Sequence, residues 1–169
     1  MPSILTKAAV RRQANASWRI IVGERRSLCM QKMAMEYLIE TLQCQLCELL
    51  RACAHMKRQC KRTTTHPENI ELVRNMLFSQ IPRAPDAAHI KFSLSQNSLR
   101  RMCREQSLTM AYKIPQGTVP SITLLRCLLC DITYAILLVC VTVEGPVSIT
   151  EAAIMAAVRH LHLYELYNL

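Results

Sequence analysis

Two pairs of cysteines have a spacing that zinc sites often use. Cys44-x-x-Cys47 and Cys127-x-x-Cys130 each place two thiols three residues apart, as many zinc-binding motifs do. Both pairs, however, lie within stretches of helical periodicity, and neither has a second pair of ligands at the usual distance. We therefore expect packed or oxidation-sensitive thiols here rather than a metal site.

Catalytic and cofactor motifs give no positive signal. The chain has no glycine-rich phosphate loop and no convincing catalytic dyad, and His160-x-His162 lies near the C-terminal end, where such a pair is more often exposed than ligating. We expect no catalytic residue, metal, cofactor or small-molecule substrate. The sequence therefore favours a protein that is not an enzyme.

A basic loop offers a different chemistry. Lys61-Arg62-Thr63-Thr64 combines two cations with two hydroxyl groups directly before a helix start. Cationic side chains, hydroxyls and the N–H groups of a helix start are what proteins use to contact phosphates. Because most basic runs are simply solvated, the position of this one between a long and a short helix is what makes it a candidate phosphate site.

Positive charge is concentrated in the first half of the chain. The 169 residues have a formal net charge of +9. Residues 1–83 contain 14 Lys/Arg against 6 Asp/Glu, whereas the remainder contains 7 against 6. This distribution predicts that the first half faces a polyanion.

Nine cysteines, together with the N-terminal segment, indicate the compartment. The segment MPSILTKAAVRRQ lacks an apolar core long enough for a signal peptide. Free thiols in a reducing compartment are therefore expected, and the protein is not expected to be secreted.

Hydrophobic periodicity and only three glycines predict an all-α fold. A basic arm over residues 1–14, with Lys7, Arg11 and Arg12, is expected to precede a short helix over about 16–26. A long amphipathic helix is predicted around 35–53, with apolar residues at i, i+3, i+4 and i+7. The first unit is assigned to residues 15–78.

A short helix is expected to close the first unit. Thr65-x-x-Glu68 has the form of a capping box, and Pro67 suits the first turn of a helix. The apolar residues of this helix are expected to point inward: Ile70, Val73, Met76 and Leu77. A linker over 79–88, marked by two prolines, follows.

The second unit, residues 89–169, repeats this plan. A short basic helix is expected near 99–104, a long apolar helix over about 121–143, and a final helix, capped by Ser148-x-x-Glu151, through Val158. Ile70 and Ile154 occupy equivalent places 84 residues apart (154 − 70). The apolar helix is long enough to span a bilayer, but Arg126 and Asp131 lie within it, which favours a helix buried in a protein core.

The order short helix, loop, long helix, loop, short helix resembles the histone fold. KRTTTHPENIELVRNML resembles the second loop and third helix of a core histone of the 2B or the 3 type. HIKFSLS and KIPQGTVPSI resemble two segments of histone 2A, and residues 113–159 align with histone 2A without a gap. The chain is similar to a histone 2B–histone 2A doublet of the kind known from giant DNA viruses, in a short, nearly tail-less form.

This resemblance implies two histone folds in an intramolecular handshake, with DNA contacts at several places. One end would bring Lys61, Arg62, Thr63 and Thr64 beside Lys113, and the other would pair the loop near 26–30 with Ser148. The remaining implied DNA contacts are Arg25, Arg26, Arg100, Arg101 and Arg104 on the short helices and Arg11 and Arg12 on the arm.

The resemblance also implies partners and a difference from histone 2A. The expected partners are double-stranded DNA and a histone 3/histone 4-like protein or doublet, in a virion, a viral factory or the host nucleus. An acidic docking patch is expected to be missing, because non-acidic residues occupy the matching positions Cys127, Ile132, Ala135, Leu161, His162 and Leu163. Three alternatives stay open: a histone 3–histone 4-type doublet, a histone-fold interaction module of a transcription complex, and a small membrane protein.

Overall fold

A computed structural model describes residues 5–60, 66–89 and 120–165, together with residues 101, 102 and 104. The described residues form five α-helices and one 3-10 turn, and they contain no β-strand. The elements are α1 (Lys7–Val22), α2 (Lys32–Gln59), α3 (Pro67–Leu77), the 3-10 turn (Asp86–Ala88), α4 (Pro120–Glu144) and α5 (Glu151–His160). The prediction of an all-α fold is confirmed.

Helix α1 begins nine residues earlier than the sequence predicted. Thr6 caps it, because its hydroxyl accepts a hydrogen bond from the Ala9 amide at 3.2 Å, and such a cap satisfies an N–H that the helix leaves unpaired. At the other end Gly23 adopts φ 94°, which terminates the helix at Val22. Residues expected in a basic arm therefore lie on a regular helix, and the helix expected over 16–26 ends before the two arginines that follow Gly23.

The two long helices differ in how completely they are buried. Helix α2 is amphipathic as predicted, and its acidic side chains Glu36 and Glu40 face solvent. Helix α4 contacts all four other helices, so it is buried on most sides. This position explains why its sequence is apolar almost all round.

Thr123–Glu144 is long and apolar enough to cross a membrane. This is weak evidence for a membrane span, because the core helix of a soluble protein meets the same test. In this fold 61% of the 18-residue apolar window in that stretch is buried inside the molecule. Most apolar residues of this window therefore already have protein partners.

Helices α3 and α5 are structurally equivalent at an offset of 84 residues. Their N-caps, His66 and Thr150, are 84 positions apart and both have extended backbones. The buried residues follow the same offset, with Ile70 matching Ile154. One inward residue was predicted wrongly, because Met76 is 68% exposed.

The cap of α5 also differs from the predicted one. The hydroxyl of Thr150 accepts from the Ala153 amide at 3.2 Å, whereas Ser148 is exposed and lies outside the helix. Thr150 has the extended backbone that an N-cap requires. The predicted position was therefore two residues too early.

The loop between α1 and α2 pairs with the loop between α4 and α5. Met30 and Ile149 form an isolated parallel bridge. The Gln31 amide donates to the Ile149 carbonyl at 3.1 Å, and the Ile149 amide donates to the Cys29 carbonyl at 2.8 Å. The expected approach of the loop near 26–30 to the Ser148 region is present, and it joins segments about 119 residues apart (149 − 30).

A buried carboxylate fixes the segment that follows α3. Asp131 on α4 is fully buried, and Arg74 on α3 donates to it at 3.2 Å. The Ala84 amide donates to the other carboxylate oxygen at 2.8 Å, while Arg74 also donates to the carbonyls of Phe78 and Ile81, each at 2.9 Å. The predicted linker is therefore an ordered strap along α4.

Replacing Asp131 by alanine should lower the free energy of unfolding by about 3–5 kcal/mol, because it leaves the buried Arg74 guanidinium without its counterion. Urea denaturation would measure this change. Arg83 is the matched control: it lies 3.8 Å from the same carboxylate but its side chain is 48% exposed, so Arg83→Ala should cost less than about 1 kcal/mol. Equal losses for the two variants would contradict the assignment of Asp131 as a buried anchor.

Thr150→Ala should lower the free energy of unfolding by about 1 kcal/mol, because the Ala153 amide loses its capping oxygen. Ser148→Ala provides the comparison, since Ser148 is exposed and two residues outside the cap. A thermal melt of both variants would distinguish them. A larger loss for Ser148→Ala would show that the capping assignment is wrong.

Candidate nucleic-acid interface

The charged residues on the exposed side of α1 are all basic. The helix contains four cations and no acidic residue: Lys7, Arg11, Arg12 and Arg19. All four side chains are exposed, whereas the opposite side, with Val10 and Trp18, is buried. This arrangement, which we call the α1 basic face, presents charge on a rigid element.

The α1 basic face is held in place by polar contacts beneath it. The buried Gln13 amide donates to the Ala88 carbonyl at 2.7 Å and to the Ser17 hydroxyl at 3.3 Å, while its oxygen accepts from the Cys130 thiol at 3.2 Å. These contacts tie α1 to the strap after α3 and to α4. The arginines therefore project from a packed helix and not from a flexible arm.

The paired loops form a second basic region, which we call the bridge end (residues 23–32 and 147–150). Arg25, Arg26 and Lys32 are exposed there, and Glu24 is the only acidic residue of the first segment. Helix α2 starts at this point with no side chain capping its first turn and no acidic residue in that turn. A helix start of this kind favours an anion, and the three cations increase the attraction.

The remaining predicted contacts are described only in part. Arg101 and Arg104 are exposed and have helical backbones, while Met102 between them is 4% exposed and belongs to the core. Met102 is therefore an apolar anchor between two arginines whose side chains are exposed. The other predicted contacts lie outside the described residues: Lys61, Arg62, Thr63, Thr64, Lys113 and Arg100.

Two basic residues of this surface were not predicted from the sequence. Arg19 lies on the α1 basic face, and Lys32 begins α2 at the bridge end. The absence of any acidic residue between Lys7 and Val22 could have identified Arg19. Lys32 had no such signal, because its role depends on the pairing of two loops that are distant in sequence.

The cysteine pairs lie within the two long helices, as expected. Burial, reinforced by the negative charge of Glu144, raises the pKa of the Cys140 thiol to about 11. Burial likewise raises the pKa of Cys44 and of Cys127. Such thiols stay protonated near neutral pH and are poor metal ligands.

The described residues contain an open groove but no metal-binding cluster. In that part of the chain no group of three or more His, Cys, Asp or Glu side chains could hold a metal ion. An open groove of about 510 Å³ lies between α1 and α2, where Leu5, Lys7, Glu36 and Glu40 contribute to its walls. The groove has neither a nucleophile nor a buried acid–base pair.

The chain was compared with known proteins. No protein-family model matches it, and no curated protein shows significant similarity to it. The fold and the surface define an all-helical protein with a basic surface built on α1 and the bridge end.

Proposed function

We propose that the protein is a histone doublet that packages DNA without reading its sequence. The first unit would comprise α1, α2 and α3, and the second would comprise the segment around Met102 with α4 and α5. The observation that carries the proposal is the parallel pairing of the loop before α2 with the loop before α5. That pairing puts the start of α2 and three cations at one end of the molecule.

The packing of the helices supports two interlocked units. Helix α1 contacts α4, and α5 contacts α2, so each unit covers the long helix of the other. Neither long helix could bury its apolar residues within its own unit alone, which is why two such units share one core. The head-to-tail arrangement expected from the resemblance to histones has this property.

The charges fit a phosphate backbone and not a particular base sequence. Between Lys7 and Lys32 there are seven Lys/Arg and one Glu, all of them exposed. Cations on a rigid helix and at a helix start position a duplex through its phosphates, and such contacts carry no sequence information directly. A DNA-free interaction module would have no need for cations at both places, so DNA packaging is favoured over that alternative.

An exposed apolar pair on α3 fits a protein partner. Leu72 is 52% exposed and Met76 is 68% exposed, and they lie one turn apart on the same side of the helix. Large apolar side chains exposed together often mark an interaction site. We assign this side of α3 to the histone 3/histone 4-like partner of the proposed particle.

One observation bears on a second assignment of the units. In histone 2A the positions that match Ile132, Ala135 and Leu163 lie in a surface docking patch, whereas here all three side chains are buried. Burial at these positions does not fit the histone 2A register, so the alternative of a histone 3–histone 4-type doublet with the same packaging role stays open.

Nuclease digestion of DNA assembled with this protein tests the packaging function. The chain would be reconstituted separately with a histone 3/histone 4 partner and with a histone 2A/histone 2B partner, which also decides between the two assignments. We expect a discrete protected fragment with one partner, near or below the roughly 147 bp of a nucleosome. A featureless digest with both partners after low-salt assembly would refute packaging and leave the interaction module.

The variant Arg25→Ala/Arg26→Ala should weaken DNA binding and reduce its dependence on salt. Each phosphate contact contributes about 0.9 to the slope of log affinity against log salt concentration. Losing two contacts should therefore lower the magnitude of the slope by about 2, measured by fluorescence anisotropy with duplex DNA between 50 and 200 mM salt.

Arg51→Ala/Arg83→Ala is the control, because it removes the same formal charge. Arg51 and Arg83 are exposed but pair with Glu48 and Glu71, so the salt slope should stay close to that of the wild type. An equal fall in slope for both double variants would show that net charge, and not the bridge end, determines binding.

A further inference from the structure

Only one of two equivalent helix contacts contains buried charges. Helix α3 packs on α4 through the ion pair between Arg74 and Asp131, at 3.2 Å. Helix α5 packs on α2. At the 84-residue offset, Arg74 corresponds to Val158 (74 + 84), and Asp131 corresponds to Cys47 (131 − 84). The charged residue on α3 and the charged residue on α4 therefore each correspond to an uncharged residue in the other unit.

The offset holds along the long helices as well as between α3 and α5. Several residues buried on α2 match residues buried on α4 at the same separation, and these pairs lie on both sides of Cys47 and Asp131, although Cys47 is half-buried where Asp131 is fully buried. Among the matched buried pairs are Leu46 with Cys130, Leu49 with Thr133, and Cys53 with Leu137.

This asymmetry discriminates between possible pairings of the units. If two first units paired with each other, each Arg74 would meet a Cys47 and would be buried without a counterion. If two second units paired, each Asp131 would meet a Val158 in place of Arg74, although it would keep the His89 ring of its own unit at 3.5 Å. A buried charge that loses its counterion is strongly unfavourable, whereas the pairing of unlike units joins the two charges.

We propose that Arg74 and Asp131 determine pairing specificity, so that the first unit pairs only with a second unit. This inference rests on the two-unit arrangement of the proposed function, but it does not depend on DNA. Because the Ala84 amide also donates to Asp131 at 2.8 Å, the same carboxylate holds the strap after α3 along α4. Pairing within one chain is favoured over exchange between chains because the covalent link keeps the two units at high effective concentration.

Refolding of full-length variants tests the inference. In Arg74→Gln/Asp131→Asn the charges are removed but polar groups remain: Gln can still donate to a carbonyl of the strap, and Asn can still accept from the Ala84 amide. Arg74→Leu/Asp131→Leu removes both charges in favour of apolar contacts, a change that proteins often tolerate. Because two different double replacements are made, the inference can still be tested if one of the variants does not fold.

The readout is the oligomeric state after refolding from urea at high protein concentration, by size-exclusion chromatography with light scattering. We expect monomers for the wild type. For either folded double variant, the fraction of chains in dimers and larger species should rise at least about tenfold, because like units can now pair. Mixing chains with donor and acceptor fluorophores before refolding would confirm that the new species contain more than one chain.

Val73→Ala is the control for general destabilisation. Val73 is buried next to Arg74 on α3 but carries no charge, so this variant should be less stable and still monomeric. The proposal is overturned if every folded double variant stays as monomeric as the wild type, or if Val73→Ala oligomerises equally. No DNA is present in this assay, so failure of DNA packaging leaves its result unaffected.

Discussion

The fold depends above all on a carboxylate that has no access to water. Asp131 is held in the core by Arg74 and the Ala84 amide, and removing one partner of a buried ion pair costs about 3–5 kcal/mol. The total stability of a domain is only about 5–15 kcal/mol. The contact that joins α3, the strap and α4 at this carboxylate is therefore a large share of the stability of the fold.

The basic surface is rigid because it is attached to this core. Gln13 links α1 to the strap through the Ala88 carbonyl and to α4 through the Cys130 thiol. The same two elements that meet at Asp131 thus also fix the orientation of the α1 basic face. Cations on a fixed scaffold lose less conformational freedom when they bind than cations on a mobile arm, which would suit the proposed contact with the phosphates of DNA.

The sequence predicted the positions of the helices better than the contacts that the helices make. The long helices and α3 could be located because apolar spacing and Pro67 are local signals, and the 84-residue repeat identified the equivalence of α3 and α5. The start of α1 was missed because the Thr6 cap was not recognised, and Met76 was placed inward because periodicity alone cannot show which side of a short helix a neighbour covers. The partners of Asp131 could not be predicted, since Ala84 lies in an apparent linker 47 residues away and Arg74 lies on a helix 57 residues away.

The contacts that close the molecule also set the order in which it can fold during synthesis. The side chain of Gln45 on α2 donates a hydrogen bond to the backbone of Tyr164, 119 residues later, and accepts one from it. The bridge at Met30 likewise cannot form before Ile149 has been synthesised. At translation rates of about 5–20 residues per second, the first half is exposed for roughly 6–24 s before its partner emerges. During that interval α2 lacks the cover that α4 and α5 later give to its apolar residues, and apolar surface exposed in this way promotes aggregation.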